Sequence, residues 1–399
     1  MKSCHVLLMI DNGRASLVHI SPRNTVLVVQ RRLTHYRVPF FEALRMEMAT
    51  RNIDLVLAHG DPTAEEAAKQ DGGELSWARR IRTTYLFGGR VCWQPFGALA
   101  RQSDLVVLTH ENKLVCNVAA QYFLRRSKVA LWGHGANLQG DAASLRERFK
   151  RHTARQADWW FGYTQLSLPL IKRSGFPTNR TTILNNSIDT VALMARHAAV
   201  TPLALDVLRS DLRLAGHSVG VFLGSLYADK KIRFLLEAAL AVRAAVPGFE
   251  LVIAGGGPDR SIVETFCARH DWARYAGVQS GQRKAELLAL AKVILNPGLV
   301  GLGILDSFAC QVPMVTTDCG LHSPEIAYLD DGVNGVMTAD SIPDYVGAVV
   351  RVLTESAHRA ALVEGCVRSA SKYTVNNMVR RFCDGVEQCL AAPMYRWAA

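Results

Sequence analysis

The 399-residue chain has no long hydrophobic run, no closely spaced cysteine pair and, in its first half, few carboxylates. The apolar stretches at residues 6–10 and 25–29 fall far short of the ~18 residues needed to cross a bilayer. Lys2 ahead of the first stretch resembles the start of a signal peptide. Asp11 interrupts it, however, and no small-residue cleavage site follows, so residues 1–23 read as a ragged extension. The nine cysteines, Cys4, Cys92, Cys116, Cys267, Cys310, Cys319, Cys366, Cys383 and Cys389, include no Cys-x-x-Cys. This scatter argues against a disulfide framework or zinc site and reads as buried, reduced thiols of a cytosolic protein.

The shortage of carboxylates is uneven. Residues 1–200 carry 27 Lys and Arg against 15 Asp and Glu, whereas residues 201–399 carry 19 against 20, so the first half holds the whole net charge of +11. A uniformly basic nucleic-acid binder is thereby excluded, and two domains with different partners, one partner anionic, are implied. The length suits two domains, and a hydrophobic content of 49% supplies a core for each.

Apolar runs at 24–30, 53–58, 105–109, 128–132 and 159–163 read as buried strands. They alternate with helical patterns at 39–48, 115–124 and 145–156, the first opened by Pro39. The pattern restarts with strands at 219–223, 249–254, 293–296 and 314–317. Helices are expected at 232–246, 261–270, 284–291, 303–311, 343–353 and 357–371. Two α/β units follow, each a parallel sheet with helices on both faces. The boundaries expected are 1–200 for the first domain, 201–218 for a linker and 219–374 for the second domain. A terminal helix over 375–399 could go with either. Ligands of such sheets bind beyond the carboxyl ends of the strands, so the loops after strands, and a cleft between facing domains, are the places to inspect.

Three of those loops stand out. The first runs Gly224-Ser225-Leu226-Tyr227-Ala228-Asp229-Lys230-Lys231, with glycine for close backbone approach and lysine to meet phosphate. The second is Gly255-Gly256-Gly257-Pro258. It is not a dinucleotide fingerprint, and no acidic residue is placed for an NAD ribose. The third runs from Asn296 through Gly298, Gly301, Leu302, Gly303 and Ile304 to Asp306, glycines entering a helix whose first turn holds a carboxylate able to accept from a vicinal diol.

In this order, the three pieces resemble the donor domain of the retaining nucleotide-sugar glycosyltransferases of family four, which have the GT-B fold: two Rossmann-like domains facing across a cleft. Pro324-Glu325-Ile326 and Asn334-Gly335 fit the same pattern. In the first half, Tyr36-Arg37-Val38-Pro39-Phe40-Phe41, Trp132-Gly133-His134-Gly135 and Asn185-Asn186-Ser187-Ile188-Asp189 resemble it too. The resemblance implies transfer from a nucleotide-sugar to a glycan or lipid-linked acceptor in cell-surface polysaccharide synthesis, with no metal and no cofactor. It implies that Lys230 neutralises the diphosphate, that the amides of Gly301, Leu302, Gly303 and Ile304 cradle phosphate or sugar, and that Asp306 holds the ribose. Gly224, Ser225, Lys231 and Gly256 would complete the donor site, Val278 would lie near the base, and His134 would face the transferred sugar.

The chain departs from the family pattern at two positions. Gly298 stands where the first Glu of a Glu-x7-Glu motif belongs, in a loop about three residues short. Ser225 replaces an arginine that pairs with phosphate, removing a charge and a bidentate fork. Lys231, Arg32 and Arg37 are candidates to restore the charge, and Arg32, His35, Tyr36 and Arg37 are the expected acceptor-side residues. The basic clusters of the first half, including the helix expected at 145–156, suit an anionic membrane surface and a cytoplasmic, membrane-peripheral location. A non-catalytic scaffold of a glycan-assembly complex and a sugar-nucleotide epimerase remain as alternatives.

Overall fold

The computed structural model describes residues 23–67, 71–124, 126–135, 149 and 152–395, together with the backbone of 5–11 and 14–20. Half of the basic helix expected at 145–156, namely residues 145–148, 150 and 151, lies outside the described residues. The chain divides into two units. Unit 1 comprises residues 1–162, 168–183 and 379–399, and unit 2 comprises 163–167 and 184–378.

Unit 1 begins with an antiparallel hairpin, β1 (His5–Asp11) and β2 (Arg14–Ile20), in register from His5–Ile20 to Asp11–Arg14. The expected ragged extension is thus a hairpin. Its signal was Asn12-Gly13 between apolar runs, a dipeptide that favours two-residue hairpin turns. The main sheet uses β3 (Asn24–Gln30), β4 (Ile53–His59), β5 (Arg79–Arg80), β8 (Leu105–Thr109), β9 (Lys128–Gly133), β10 (Trp159–Gly162) and β11 (Thr181–Ile183). These seven strands are all parallel, in the order β11-β10-β9-β8-β3-β4-β5. Val26, Leu27, Val28, Val106, Val107, Leu131 and Phe161 are buried, as strands covered on both faces require. A second hairpin, β6 (Thr84–Leu86) with β7 (Val91–Trp93), stands apart from this sheet.

Unit 2 repeats the plan with β12 (Ser218–Leu223), β13 (Phe249–Ala254), β14 (Ala273–Gly277), β15 (Val293–Leu295), β16 (Met314–Thr317) and β17 (Gly335–Thr338). All are parallel, in the order β14-β13-β12-β15-β16-β17. The sheet order reverses between β12 and β15, so the loops leaving those two strands open a crevice at their carboxyl ends.

The unit boundaries differ from those expected. Residues 184–200 belong to unit 2 because their polar groups are tied there. The Asn186 amide donates to Glu325 Oε1 at 2.6 Å, the Tyr328 hydroxyl donates to the Asn186 carbonyl at 2.9 Å, and the Ser187 hydroxyl donates to the Tyr373 carbonyl at 2.9 Å. The expected linker is a helix, Pro202–Asp211, capped by Thr201, whose hydroxyl accepts from the Ala204 amide. It packs on the helix Gly281–Leu290, with Leu208 buried and Asp211 paired to Arg283 at 2.9 Å. The last helix, Val375–Ala391, passes from unit 2 into unit 1 at Val379. Within unit 1, Phe382 stacks on Phe161 at 4.5 Å and meets Trp132 at 5.4 Å and Phe40 at 5.8 Å. Arg51 meanwhile pairs with Asp384 and Glu387. Among the described residues no single helix is long and apolar enough to cross a membrane.

Cys310, Cys366 and Cys383 are buried thiols that burial pushes up to about 12, so they act as small hydrophobes, not nucleophiles. Phe382→Ala should remove the aromatic centre of unit 1 and cost about 3–5 kcal/mol, read as an earlier urea midpoint for unit 1.

Candidate functional site

The crevice of unit 2 is built by backbone docking. After β12 the chain makes a tight turn, Ala228–Lys230, and enters the helix Ile232–Ala245 through Lys231 at φ 54°. After β15 it runs through Asn296, Pro297 and Gly298 directly against that turn. The Leu299 amide donates to the Asp229 carbonyl at 2.8 Å, and the Lys230 ammonium donates to the Leu299 carbonyl. A Cβ on Gly298 would lie 2.3 Å from the Asp229 carbonyl oxygen and 2.6 Å from Lys230 Cα. No side chain, a Glu included, fits there without the backbone moving. Thr317 fixes the other face of the loop by donating to the Pro297 carbonyl at 2.7 Å.

The triple glycine closes a second side. Gly255 meets Gly224 so closely that a Cβ would sit 1.7 Å from the Gly224 carbonyl oxygen. The Leu226 amide donates to Gly256, and the Asp259 amide donates to Leu226. Val278, at the end of β14, is exposed, and its Cγ2 lies 3.0 Å from where a Gly256 Cβ would be. The loops after β12, β13, β14 and β15 therefore assemble into one rim, and Gly224, Ser225, Gly256, Val278 and Lys230 lie on it.

Lys230 is the charge at the centre of this rim. Burial lowers its pKa to about 8, so the ammonium still predominates at neutral pH and gives way to the amine as the pH rises through about 8. Lys231 does not replace the missing arginine. Its ammonium bonds Asp340 and lies 4.2 Å over the Phe234 ring. Asp306 is buried in the helix Gly303–Ala309, and its Oδ2 pairs with Lys284 at 2.8 Å. Burial pushes the Asp306 carboxyl up from the ordinary carboxylate value, and Lys284 pulls it partly back. The sequence reading missed Lys284, whose spacing on the helix Gly281–Leu290 carries no signal for a partner at Asp306. The Ile304 amide turns back to the Gly301 carbonyl at 3.2 Å, so the expected four-amide cradle reduces to Gly301, Leu302 and Gly303.

His322 was also missed. Its Nδ1 accepts from the Val300 amide at 3.1 Å, and its Nε2 donates to the Thr317 carbonyl at 2.8 Å, with Cys319 Sγ at 3.6 Å. These bonds fix the neutral Nε2–H tautomer, and burial lowers the pKa further. His322 thus anchors the shortened loop where it enters the Asp306 helix. Glu325 and Asn334, which match the family pattern, are buried and serve the fold. Asn334 accepts from the Asp330 amide and donates to the Tyr328 carbonyl and the Ser369 hydroxyl.

In unit 1 the expected acceptor-side residues gather after β3, where Arg32 and its neighbour Arg31 are already matched by carboxylates. Arg32 forks onto Asp71 at 2.6 and 2.9 Å, and Arg31 onto Glu66 at 2.5 and 2.7 Å. The Arg31 guanidinium holds the Glu66 carboxyl down at about 2. His35 Nδ1 lies 3.2 Å from the Asp71 carbonyl, and the His35 and Tyr36 rings meet edge to face at 5.9 Å. Arg37 is buried, with its guanidinium 5.2 Å from the Trp132 ring and 5.5 Å from Tyr36. Neither Arg32 nor Arg37 is therefore an open replacement for the charge missing at Ser225. A cavity of about 730 Å3 borders this group, lined by Arg32, His59, Asp61, Glu66, Asp71 and Glu74 among others. His134, half-buried, follows β9 in unit 1, whereas Lys230 and Asp306 belong to unit 2.

Raising pH through about 8 should weaken binding of a nucleoside diphosphate as Lys230 loses its proton, and Lys230→Gln should abolish that dependence; titration calorimetry across this range reads both. Gly298→Glu should lower the melting temperature and not restore a motif, because its Cβ has no room.

Residues 217–355 match the family model described as "Glycosyl transferases group 1". The chain is 24% identical over 178 residues to the alpha-D-kanosaminyltransferase of Streptomyces kanamyceticus; the match takes in 42% of this chain and 45% of that relative, so it spans less than half of the relative's length. Two solved structures share the fold. HepE of Anabaena, in complex with UDP, superposes with a TM-score of 0.67 at 14% identity, over 92% of this chain and all of that one. The lipopolysaccharide outer core galactosyltransferase WaaB superposes with a TM-score of 0.63 at 14% identity, over 91% and 99% of the two chains. The chain thus has the GT-B fold, and its residues 217–355 are similar to the group 1 glycosyl transferases.

Proposed function

We propose that the protein is a glycosyltransferase that takes a nucleotide-sugar donor on the rim of unit 2. The observation that carries this reading is the meeting of the β12 and β15 loops at the point where the strand order reverses, with Lys230 between them. Such a place combines close backbone approach with one tunable positive charge, which suits a diphosphate. The group 1 domain match and the UDP held by HepE support the same reading.

The transfer proposed is retaining and metal-independent. The bond between the anomeric carbon and the diphosphate oxygen breaks while the acceptor oxygen bonds the same face of that carbon. The acceptor proton passes to the leaving diphosphate. Lys230 offsets the charge that builds on that group, Asp306 with Lys284 positions the ribose, and His134 bonds a hydroxyl of the transferred sugar. The acceptor is a glycan or lipid-linked saccharide of a cell-surface polysaccharide, met at the inner face of the cell membrane. The lipopolysaccharide outer core galactosyltransferase WaaB gives this acceptor class its support.

One observation favours a second reading. Gly298 admits no carboxylate, and Ser225 supplies no charge, so the domain could serve as a non-catalytic scaffold. Thermal-shift and calorimetric screening of UDP-, GDP- and other activated sugars separates the two. Binding, followed by transfer or slow hydrolysis detected by mass spectrometry, is expected; no binding by any donor would favour the scaffold. Turnover of a donor without acceptor or hydrolysis would instead point to an epimerase. Asp306→Ala should weaken donor binding, whereas His134→Ala should impair transfer with donor affinity near normal; unchanged kinetics in both would discard these assignments.

A further inference from the structure

We propose that the outward face of the β6–β7 hairpin, joined to the helix Val115–Phe123, is the surface by which unit 1 lies on an anionic lipid bilayer. This deepens the membrane-peripheral part of the reading above and assigns it to particular residues.

The hairpin register makes the two faces distinct. Thr84 opposes Trp93, Tyr85 opposes Cys92 and Leu86 opposes Val91. Side chains alternate along each strand, so Tyr85 and Cys92 share one face and Leu86, Val91 and Trp93 share the other. The first face is turned inward: Cys92 is buried, the Tyr85 hydroxyl donates to the Asp61 carbonyl at 2.7 Å, and Arg31 donates to that hydroxyl at 3.1 Å. The second face is therefore outward, with Leu86 45% and Trp93 49% exposed. At the tip, Phe87 is 78% exposed and sits at φ 52°, a left-handed conformation that bulky residues avoid. Gly88 and Gly89 follow, also at positive φ.

The adjacent helix extends this apolar surface. Cys116, Ala119, Ala120 and Phe123 follow the spacing of one helical stripe. With Trp93 and Phe96 they line a shallow, largely apolar cavity of about 390 Å3. Phe123, at its edge, is 78% exposed.

The charge around this face selects the partner. From residue 82 to 103 the sequence has Arg82, Arg90 and Arg101 and no Asp or Glu; from 114 to 127 it has Arg125 and Arg126 and again no carboxylate. Arg82, Arg90, Arg101 and Arg126 are exposed, and none is ion-paired with a described carboxylate. Arg31, Arg32, Arg51 and Arg80, by contrast, are all paired with carboxylates elsewhere in unit 1. Exposed arginines without described carboxylate partners thus flank the exposed aromatic residues along the chain, and Arg101 lines the apolar cavity itself. Arginine meets anionic headgroups while Trp and Phe enter the boundary of the acyl region, the chemistry of interfacial binding.

Sedimentation of the full chain with phosphatidylglycerol-containing and with pure phosphatidylcholine vesicles tests this. Preferential binding to the anionic vesicles, weakened by added salt, is expected. The double variant Phe87→Ser, Phe123→Ser should lose most of it, roughly tenfold or more in partition, and Arg82→Gln with Arg90→Gln should weaken it and flatten its salt dependence. Circular dichroism and donor affinity should match the wild type in both variants. Brominated lipid should quench Trp fluorescence, and Trp93→Phe should remove most of that quenching. Equal binding to the two vesicle types, or undiminished binding by the Phe double variant, would overturn the proposal. So would a concentration-dependent dimer that the Phe variant disrupts, which would assign the face to a second copy. Failure to transfer sugar with vesicle binding intact would instead overturn the transferase reading alone.

Discussion

The contact on which the rest of the candidate site depends is the docking of the β15 loop onto the turn Ala228–Lys230. It is a backbone-on-backbone contact, made possible because Gly298 has no Cβ. The Leu299 amide and carbonyl hold the Asp229 carbonyl and the Lys230 ammonium, so one short segment fixes both sides of the crevice. The same contact buries Lys230 and brings its titration toward neutral pH. The lack of room for a side chain at Gly298 and the buried lysine thus have a single physical origin: two loops docked backbone on backbone at that point.

Charge in unit 1 divides into two populations with different consequences. Arg31 and Arg32 are spent on Glu66 and Asp71, which rigidifies the segment after β3 and leaves the neighbouring cavity electrostatically mixed. The arginines beside the second hairpin have no such carboxylates near them in sequence. Among the described residues, part of the basic charge of the first half thus stays unpaired beside an apolar face, while Arg32 of the expected acceptor residues is paired. An anionic acceptor would find Arg32 already forked by a carboxylate, and displacing it would break two charge-assisted hydrogen bonds.

Much of the fold was legible because buried parallel strands are continuous apolar runs, as at Val26–Val29 or Val106–Leu108. Three short strands containing polar residues were not, although the equally short, wholly buried β15 and β16 were. β11, β14 and β17 have three to five residues each, and Thr181, Arg274 and Thr338 make them look like loops. The helix Pro202–Asp211 hid in an expected linker because its apolar face is narrow, and only the helix Gly281–Leu290 completes it. The loops that meet at the carboxyl ends of β12, β13 and β15 were picked out from glycine and lysine spacing. Lys284 and His322 were not, since each acts on a residue 22 positions away through geometry that no local pattern records.

The sequence by itself determined the two parallel α/β units, the glycine-rich loops after their strands and the one-sided charge, because all three follow from local pattern and composition. Tertiary structure decided which charges remain open. Lys231 goes to Asp340, Asp306 to Lys284, and Arg32 to Asp71, each pair separated by at least 22 residues in the chain. Such pairing depends on which side chains folding brings within hydrogen-bond distance, and desolvation then sets how strongly each is held.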